Sequence, residues 1–291
     1  MQHNNQYALL LGDFRKQLAG LACLLLFLLQ SVPAAQTAEG APEENKSVFG
    51  TIRSDITDFY HDGLSLARQP GRWDKNDWVK LAAIGGTTAL LMTIDQDVDD
   101  MVSRNPGYDN SFPVQFGKWT GEPVTTAALT AGFYLYGLAA DDSEFRQIGF
   151  EIGESAIYSG MITGILKYSL GRWRPYKKNG PATYSPLRLG SNDYLSLPSG
   201  HSALAFSLAT VLSSHTDNNW LKALFYAPAI LTTASRVYHH QHWTSDVFLG
   251  ASIGYIVGKF VTGRHKKDDA VLPQIGVGMG ENQMIFFSIP L

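Results

Sequence analysis

The sequence predicts an all-α protein, a bundle of six helices with a small C-terminal β-hairpin. Three observations carry that expectation. Six apolar segments lie between residues 79 and 262, they are rich in Ala, Leu, Ile and Gly, and turn signals such as Asn105-Pro106-Gly107 and Gly121-Glu122-Pro123 separate them. The 291 residues, 45% hydrophobic and 17% charged, suffice for a sizeable core and exclude disorder and collagen-like repeats. A formal charge of -3 leaves no basic excess, so no nucleic-acid partner is expected.

The elements follow in order. Arg15 and Lys16 precede an apolar run from Leu18 to Leu29, and Val32-Pro33-Ala34 offers small residues, so residues 1–34 read as an export signal cleaved after Ala34 or as a retained anchor. The single cysteine, Cys23, lies in this segment; cleavage would leave neither disulfides nor thiolate metal sites. Residues 35–78 read as a polar leader, mobile over 35–50, and an N-terminal helical region. The helices are expected near 79–94, 123–140, 148–170, 201–215, 220–235 and 246–262, and residues 263–291 as a basic linker, Arg264 to Lys267, and a hairpin turning near Glu281-Asn282.

Relation to a membrane stays open at this level. A mean hydropathy of -0.07 is low for lipid-facing helices. Glu151 and Glu154 interrupt the third segment, and several segments fall short of the about 20 residues a bilayer needs.

Three clusters carry chemistry. Lys167, at the end of the third segment, stands seven positions before Arg174-Pro175; Pro175 is expected to end the helix, leaving both cations on one face near its end, able to grip an anion. Pro198-Ser199-Gly200-His201 opens the fourth helix, whose N-terminal N–H groups suit a phosphate-like oxyanion. Ser235-Arg236, His242 and Asp246 form the third: if helical, the i, i+4 spacing lets the carboxylate accept a proton from one ring nitrogen and aim the other. Alone, each has a plain structural reading: a solvated helix end, a capped helix, an ordinary His–Asp pair. Together they form an inventory for metal-free phosphoryl transfer.

At these residues the sequence resembles the type 2 phosphatidic acid phosphatase superfamily, whose signature is KxxxxxxRP, PSGH and SRxxxxxHxxxD. Here the blocks are KYSLGRWRP, PSGH and SRVYHHQHWTSD, and every specified position matches. The resemblance implies a helical-bundle phosphatase acting through a phosphohistidine, without a cofactor. His242 would attack phosphorus, Asp246 would hold its ring in the useful tautomer, and His201 would protonate the leaving oxygen and then activate water. Lys167, Arg174, Ser199, Gly200 and Arg236 would bind the phosphoryl oxygens. His239 and His240 read as structural or surface groups. Lys177 and Lys178 read as a solvated loop or a second-phosphate contact, and Trp173, Tyr176 and Tyr184 as packing or the mouth of the site.

Membrane relatives have six spans with the motifs on the outer face. If a signal is cleaved and all six segments span, the site falls inside. A peripheral or globular periplasmic bundle like the class A bacterial acid phosphatases avoids this conflict, as does a retained anchor followed by five spans. The expected substrate is a phosphorylated small molecule or a lipid phosphate or diphosphate. A vanadium-dependent haloperoxidase and a noncatalytic envelope protein are the rival readings.

Overall fold

The computed structural model describes residues 47–270 except 109, 110 and 189; the export signal and the hairpin lie outside them. Among the described residues there are nine α-helices and no strand. They are α1 (Val48–Arg68), α2 (Lys75–Met92), α3 (Asp95–Ser103), α4 (Phe112–Thr120), α5 (Pro123–Ala140), α6 (Ser143–Leu170), α7 (Gly200–Ser214), α8 (Asn219–Tyr238) and α9 (Thr244–Ala270). Three of these, α1, α3 and α4, were not among the six expected. Helix α1 begins inside the stretch read as a mobile leader, with the Ser47 hydroxyl accepting from the Gly50 N–H. Helices α3 and α4 are nine residues each, too short to announce themselves by periodicity, and tertiary contacts hold them. The segment Arg264 to Lys267 is helical rather than a linker, because α9 runs on to Ala270.

Polar residues set the helix boundaries. Asp142 caps α6 through the Phe145 N–H at 3.0 Å, and Asn218 caps α8 through the Trp220 N–H at 2.9 Å. Helices α5 and α6 fold back antiparallel, with Gly137 against Arg146, Gly149 against Tyr134 and Gly153 against Thr130. Their shared core with α7 comprises Leu129, Phe133, Ile148, Ile152, Val211 and Leu212, where each large apolar side chain contributes about 1.5–3 kcal/mol by leaving water.

Helices α7 and α9 run parallel. Gly250, Gly254 and Gly258 press against the backbone or side chains of Ser199, Ala203 and Thr210 in that order, so both N-termini lie at the same end. A Cβ on Gly250 would stand 2.2 Å from the Ser199 carbonyl oxygen, an approach only glycine permits. The starts of α5, α7 and α9 and the ends of α6 and α8 therefore share one end of the bundle. At the other end, Asp62 of α1 accepts from Arg264 Nε at 2.6 Å and Glu154 pairs with His265 Nε2 at 3.0 Å, fastening α1 to α6 and α9.

The outer faces of the helices carry exposed apolar side chains, among them Leu135, Ile157, Ile165, Trp220 and Ile230. No helix among the described residues is long and apolar enough to cross a membrane.

Candidate active site

The three sequence blocks meet at that end of the bundle, though two local geometries differ from expectation. Helix α6 stops at Leu170, four residues before Arg174. Gly171 takes a left-handed φ of 64°, its N–H bonds the Lys167 carbonyl, and a Cβ there would stand 2.0 Å from the Ser185 carbonyl oxygen. Glycine rather than Pro175 ends the helix, and Lys167 and Arg174 do not share a helical face. Arg174 lies in the following loop and returns by a different path.

Lys167 is partly buried, and its Nζ donates to the carbonyls of Leu195 at 2.6 Å and Ser196 at 3.4 Å, leaving one ammonium donor for a ligand. Burial, aided by the nearby Arg174 charge, pushes this lysine down to about 7. Arg174 is anchored through Nε to the Asn192 carbonyl at 2.9 Å and through Nη1 to Gln241 Oε1 at 2.8 Å. Its Nη2 has no partner among the described residues.

Ser199 caps α7. Its oxygen accepts from the Ser202 N–H at 3.4 Å and the Ser202 hydroxyl at 2.9 Å, so its own hydrogen remains to be donated. Gly200 opens the helix, and a Cβ there would sit 3.7 Å from Lys167 Cε, which brings the lysine beside the N–H groups of the helix start. Arg236 lies at the end of α8, donates through Nη2 to the Lys118 carbonyl at 3.3 Å, and keeps a buried Nε with no acceptor among the described residues. Such a donor suits the oxygen of a bound anion.

His242 departs from the expected helical pairing. It lies in the turn between α8 and α9, where Nδ1 is 2.8 Å from the Ser196 carbonyl and 3.8 Å from Asp246 Oδ2. A carbonyl can only accept, so Nδ1 carries the proton and Nε2 presents its lone pair. The backbone, not the carboxylate, fixes the tautomer. Burial pushes His242 down to about 3, which keeps the ring neutral.

Asp246 is occupied elsewhere. Oδ1 accepts from Arg172 Nη1 at 2.7 Å, and Oδ2 accepts from the Ser196 hydroxyl and from the Trp243 N–H at 2.9 Å. Burial opposes its charge, but its polar neighbours, Arg172 among them, outweigh that and hold the carboxyl below its ordinary range.

Sequence reasoning missed Arg172, its partner Asp95, and Glu122. Arg172, 1% exposed, also donates to Ser245 Oγ and Asp95 Oδ2, both at 2.7 Å, and so ties α3 to α9 beneath the site. Glu122, the residue before Pro123, turns one oxygen to His201 Nε2 at 3.7 Å and the other to Arg236 Nη2 at 3.5 Å. The first arginine of Gly171-Arg172-Trp173-Arg174 and the acid of the Gly121-Glu122-Pro123 turn were the available signals. His201 itself is mostly buried, and burial, against the pull of Glu122, lowers its pKa.

The surrounding residues are engaged. Lys177 pairs with Asp193 at 2.8 Å, His240 Nδ1 with Asp99 at 2.6 Å, and Trp173 Nε1 donates to Ser185 Oγ. Lys178, Tyr176, His239 and His240 line a hollow on this side of the loop. An apolar cavity of about 300 Å³ lies between α4, α5, α7 and α8, lined among others by Leu129, Ala205, Leu208, Pro228 and Leu231. It begins close to the site: Ala205 is one turn beyond His201, and Leu231 is five residues before Arg236.

Over part of its length the chain is similar to known phosphatases. Over 106 residues the chain is 38% identical to the lipid A 1-phosphatase of Porphyromonas gingivalis, covering 36% of this chain and 20% of that protein. Over 109 residues it is 35% identical to the undecaprenyl-diphosphatase of Sulfolobus acidocaldarius, covering 38% of this chain and 51% of that protein. The chain thus spans about half or less of the length of these relatives. A crystal structure of a PAP2 type phosphatidylglycerolphosphate phosphatase from Bacillus subtilis is similar with a TM-score of 0.46 at 20% identity, over 64% of this chain and 96% of that one. The family model described as the PAP2 superfamily matches residues 149–269, which hold all three blocks. Residues 149–269 are thus similar to the PAP2 superfamily.

Proposed function

We propose that the protein is a metal-independent phosphatase of lipid phosphates or diphosphates, working through a phosphohistidine on His242. One observation carries the reading: the Nδ1 proton of His242 is committed to the Ser196 carbonyl, so its other nitrogen is a bare nucleophile, and it sits beside Lys167 and Arg174, whose remaining donors suit a phosphoryl group. In the first step Nε2 attacks phosphorus, the ester oxygen departs, and His201 gives that oxygen its proton. In the second, a water attacks the phosphohistidine as His201 takes the water proton, releasing phosphate. Lys167, Arg174, Arg236, the Ser199 hydroxyl and the Gly200 N–H hold the three non-bridging oxygens. Asp246 acts through its negative charge near the ring, stabilising the imidazolium character that develops on His242.

The apolar cavity near the site supports a substrate with a hydrocarbon tail, and the names of the relatives point to the same class. The Arg15-Lys16 pair followed by an apolar run supports export, with the site working on the outer side of the inner membrane.

The test is phosphate release from a soluble ester, phosphatidate and an isoprenyl diphosphate, each with chelator present. Release is expected to persist, and His242→Ala to abolish it while the fold remains. Loss of all release on chelation, or full activity of that variant, would overturn the mechanism.

A further inference from the structure

Glu122 is not explained by the fold. It is the N-cap residue of α5, yet its side chain makes no capping bond, and Pro123 behind it offers no N–H to cap. The carboxylate instead turns into the site and divides between two groups the proposed reaction uses, His201 Nε2 at 3.7 Å and Arg236 Nη2 at 3.5 Å. It is also the carboxylate facing His201: Asp246, the acid on α9, is turned to Arg172, Ser196 and Trp243.

The charges around His201 explain why a carboxylate is needed. The imidazole stands at the N-terminus of α7, where the helix dipole disfavours a positive ring. Burial, Arg236 of α8 and Lys167 of α6 all push in the same direction, and Glu122 alone among the groups acting on it pushes back. Glu122 is itself kept anionic by His201 first, with Arg236 and Lys118 of α4 adding to the effect. An acid that must protonate a leaving oxygen has to hold its proton at the start of the reaction.

We propose that Glu122 is the positioning residue of the acid–base step, its carboxylate aiming the His201 ring and opposing the loss of the proton that a poor leaving group requires. The proposal rests on the phosphatase reading above. It predicts a dependence on the leaving group, because an aryl oxide departs without help whereas an alkoxide needs a proton.

The experiment compares kcat/KM against pH for the full-length protein and Glu122→Gln, with an aryl phosphate and an alkyl phosphate. With the alkyl ester, the alkaline limb of the variant is expected to move toward acid by about one pH unit, the low end of the effect of an opposite charge at this range. With the aryl ester the limb of the variant should move little, and kcat/KM should fall by less than it does with the alkyl ester. An equal fall with both esters at every pH, or an alkyl-ester profile that does not move, would overturn the role of Glu122. Failure of the wild type to release phosphate from any ester is a different result, and sinks the phosphatase reading itself.

Discussion

Replacing Arg172 with Met tests the buried ion network beneath His242. The guanidinium is 1% exposed and donates to Asp95, Asp246, Ser245 and the Pro181 carbonyl. Arg172→Met keeps most of the side-chain volume but leaves two buried carboxylates facing each other without a counter-charge. Removing one partner of a buried pair costs about 3–5 kcal/mol, a large part of the about 5–15 kcal/mol that holds a domain together. At about 2–4 °C per kcal/mol for a chain of this size, Tm should fall by about 6–20 °C. Asp95→Asn, which keeps the shape and removes one charge, should cost about 1–3 kcal/mol and folds well enough to be assayed where the first variant does not. Denaturation of both single variants and the double variant closes a cycle. Coupling of more than about 0.5 kcal/mol between positions 95 and 172 is expected, and additivity within that margin would refute the network.

Gly250→Ala should cost about 1–3 kcal/mol and lower kcat as well, since its Cβ would meet the Ser199 carbonyl at 2.2 Å and push the phosphate-binding turn; thermal denaturation and turnover measured together check it. Lys167, held down to about 7, is a cation below that pH and loses its charge above it, so inhibition by sulfate, which does not titrate in this range, should weaken as pH rises through about 7; a constant inhibition constant from about pH 6 to 9 would count against the lysine as an oxyanion ligand. Leu231→Trp places a large ring in the apolar cavity and should raise KM for a long-chain lipid phosphate while leaving a short-chain analogue within about twofold; equal effects on both would separate the cavity from the substrate tail.

The residues proposed to bind the phosphoryl group were legible in the sequence because their chemistry is local: Lys167 and Arg174, Ser199 and Gly200, and Arg236 through Asp246 each sit in a short block. The core helices were legible for a similar reason, since α5 through α9 are apolar runs bounded by polar or turn residues. What the spacing misjudged was backbone direction. A left-handed Gly171 ended α6 early, and a turn at residues 239–243 took His242 off the helix, so neither pair met on the helical face that counting implied. The supporting charges were illegible because their partners are far apart in the chain. Arg172 meets Asp95, and Arg236 meets Glu122, across separations of 77 and 114 residues, and neither acid lies in an apolar periodic run or a recognisable block.

The position of Asp95 and Glu122 has a consequence for dissection of the chain. Both precede residue 149, where the family-matched region begins, so the stretch that carries every motif does not carry its own electrostatic complement. A fragment trimmed to 149–269 would keep the proposed nucleophile and oxyanion ligands, yet strand Arg172 with half of its counter-charge and His201 without Glu122. Expression trials that begin at the motif boundary should yield a poorly folded product. Supplying the excised front portion as a separate polypeptide should restore it only if α3 and the start of α5 can dock in trans.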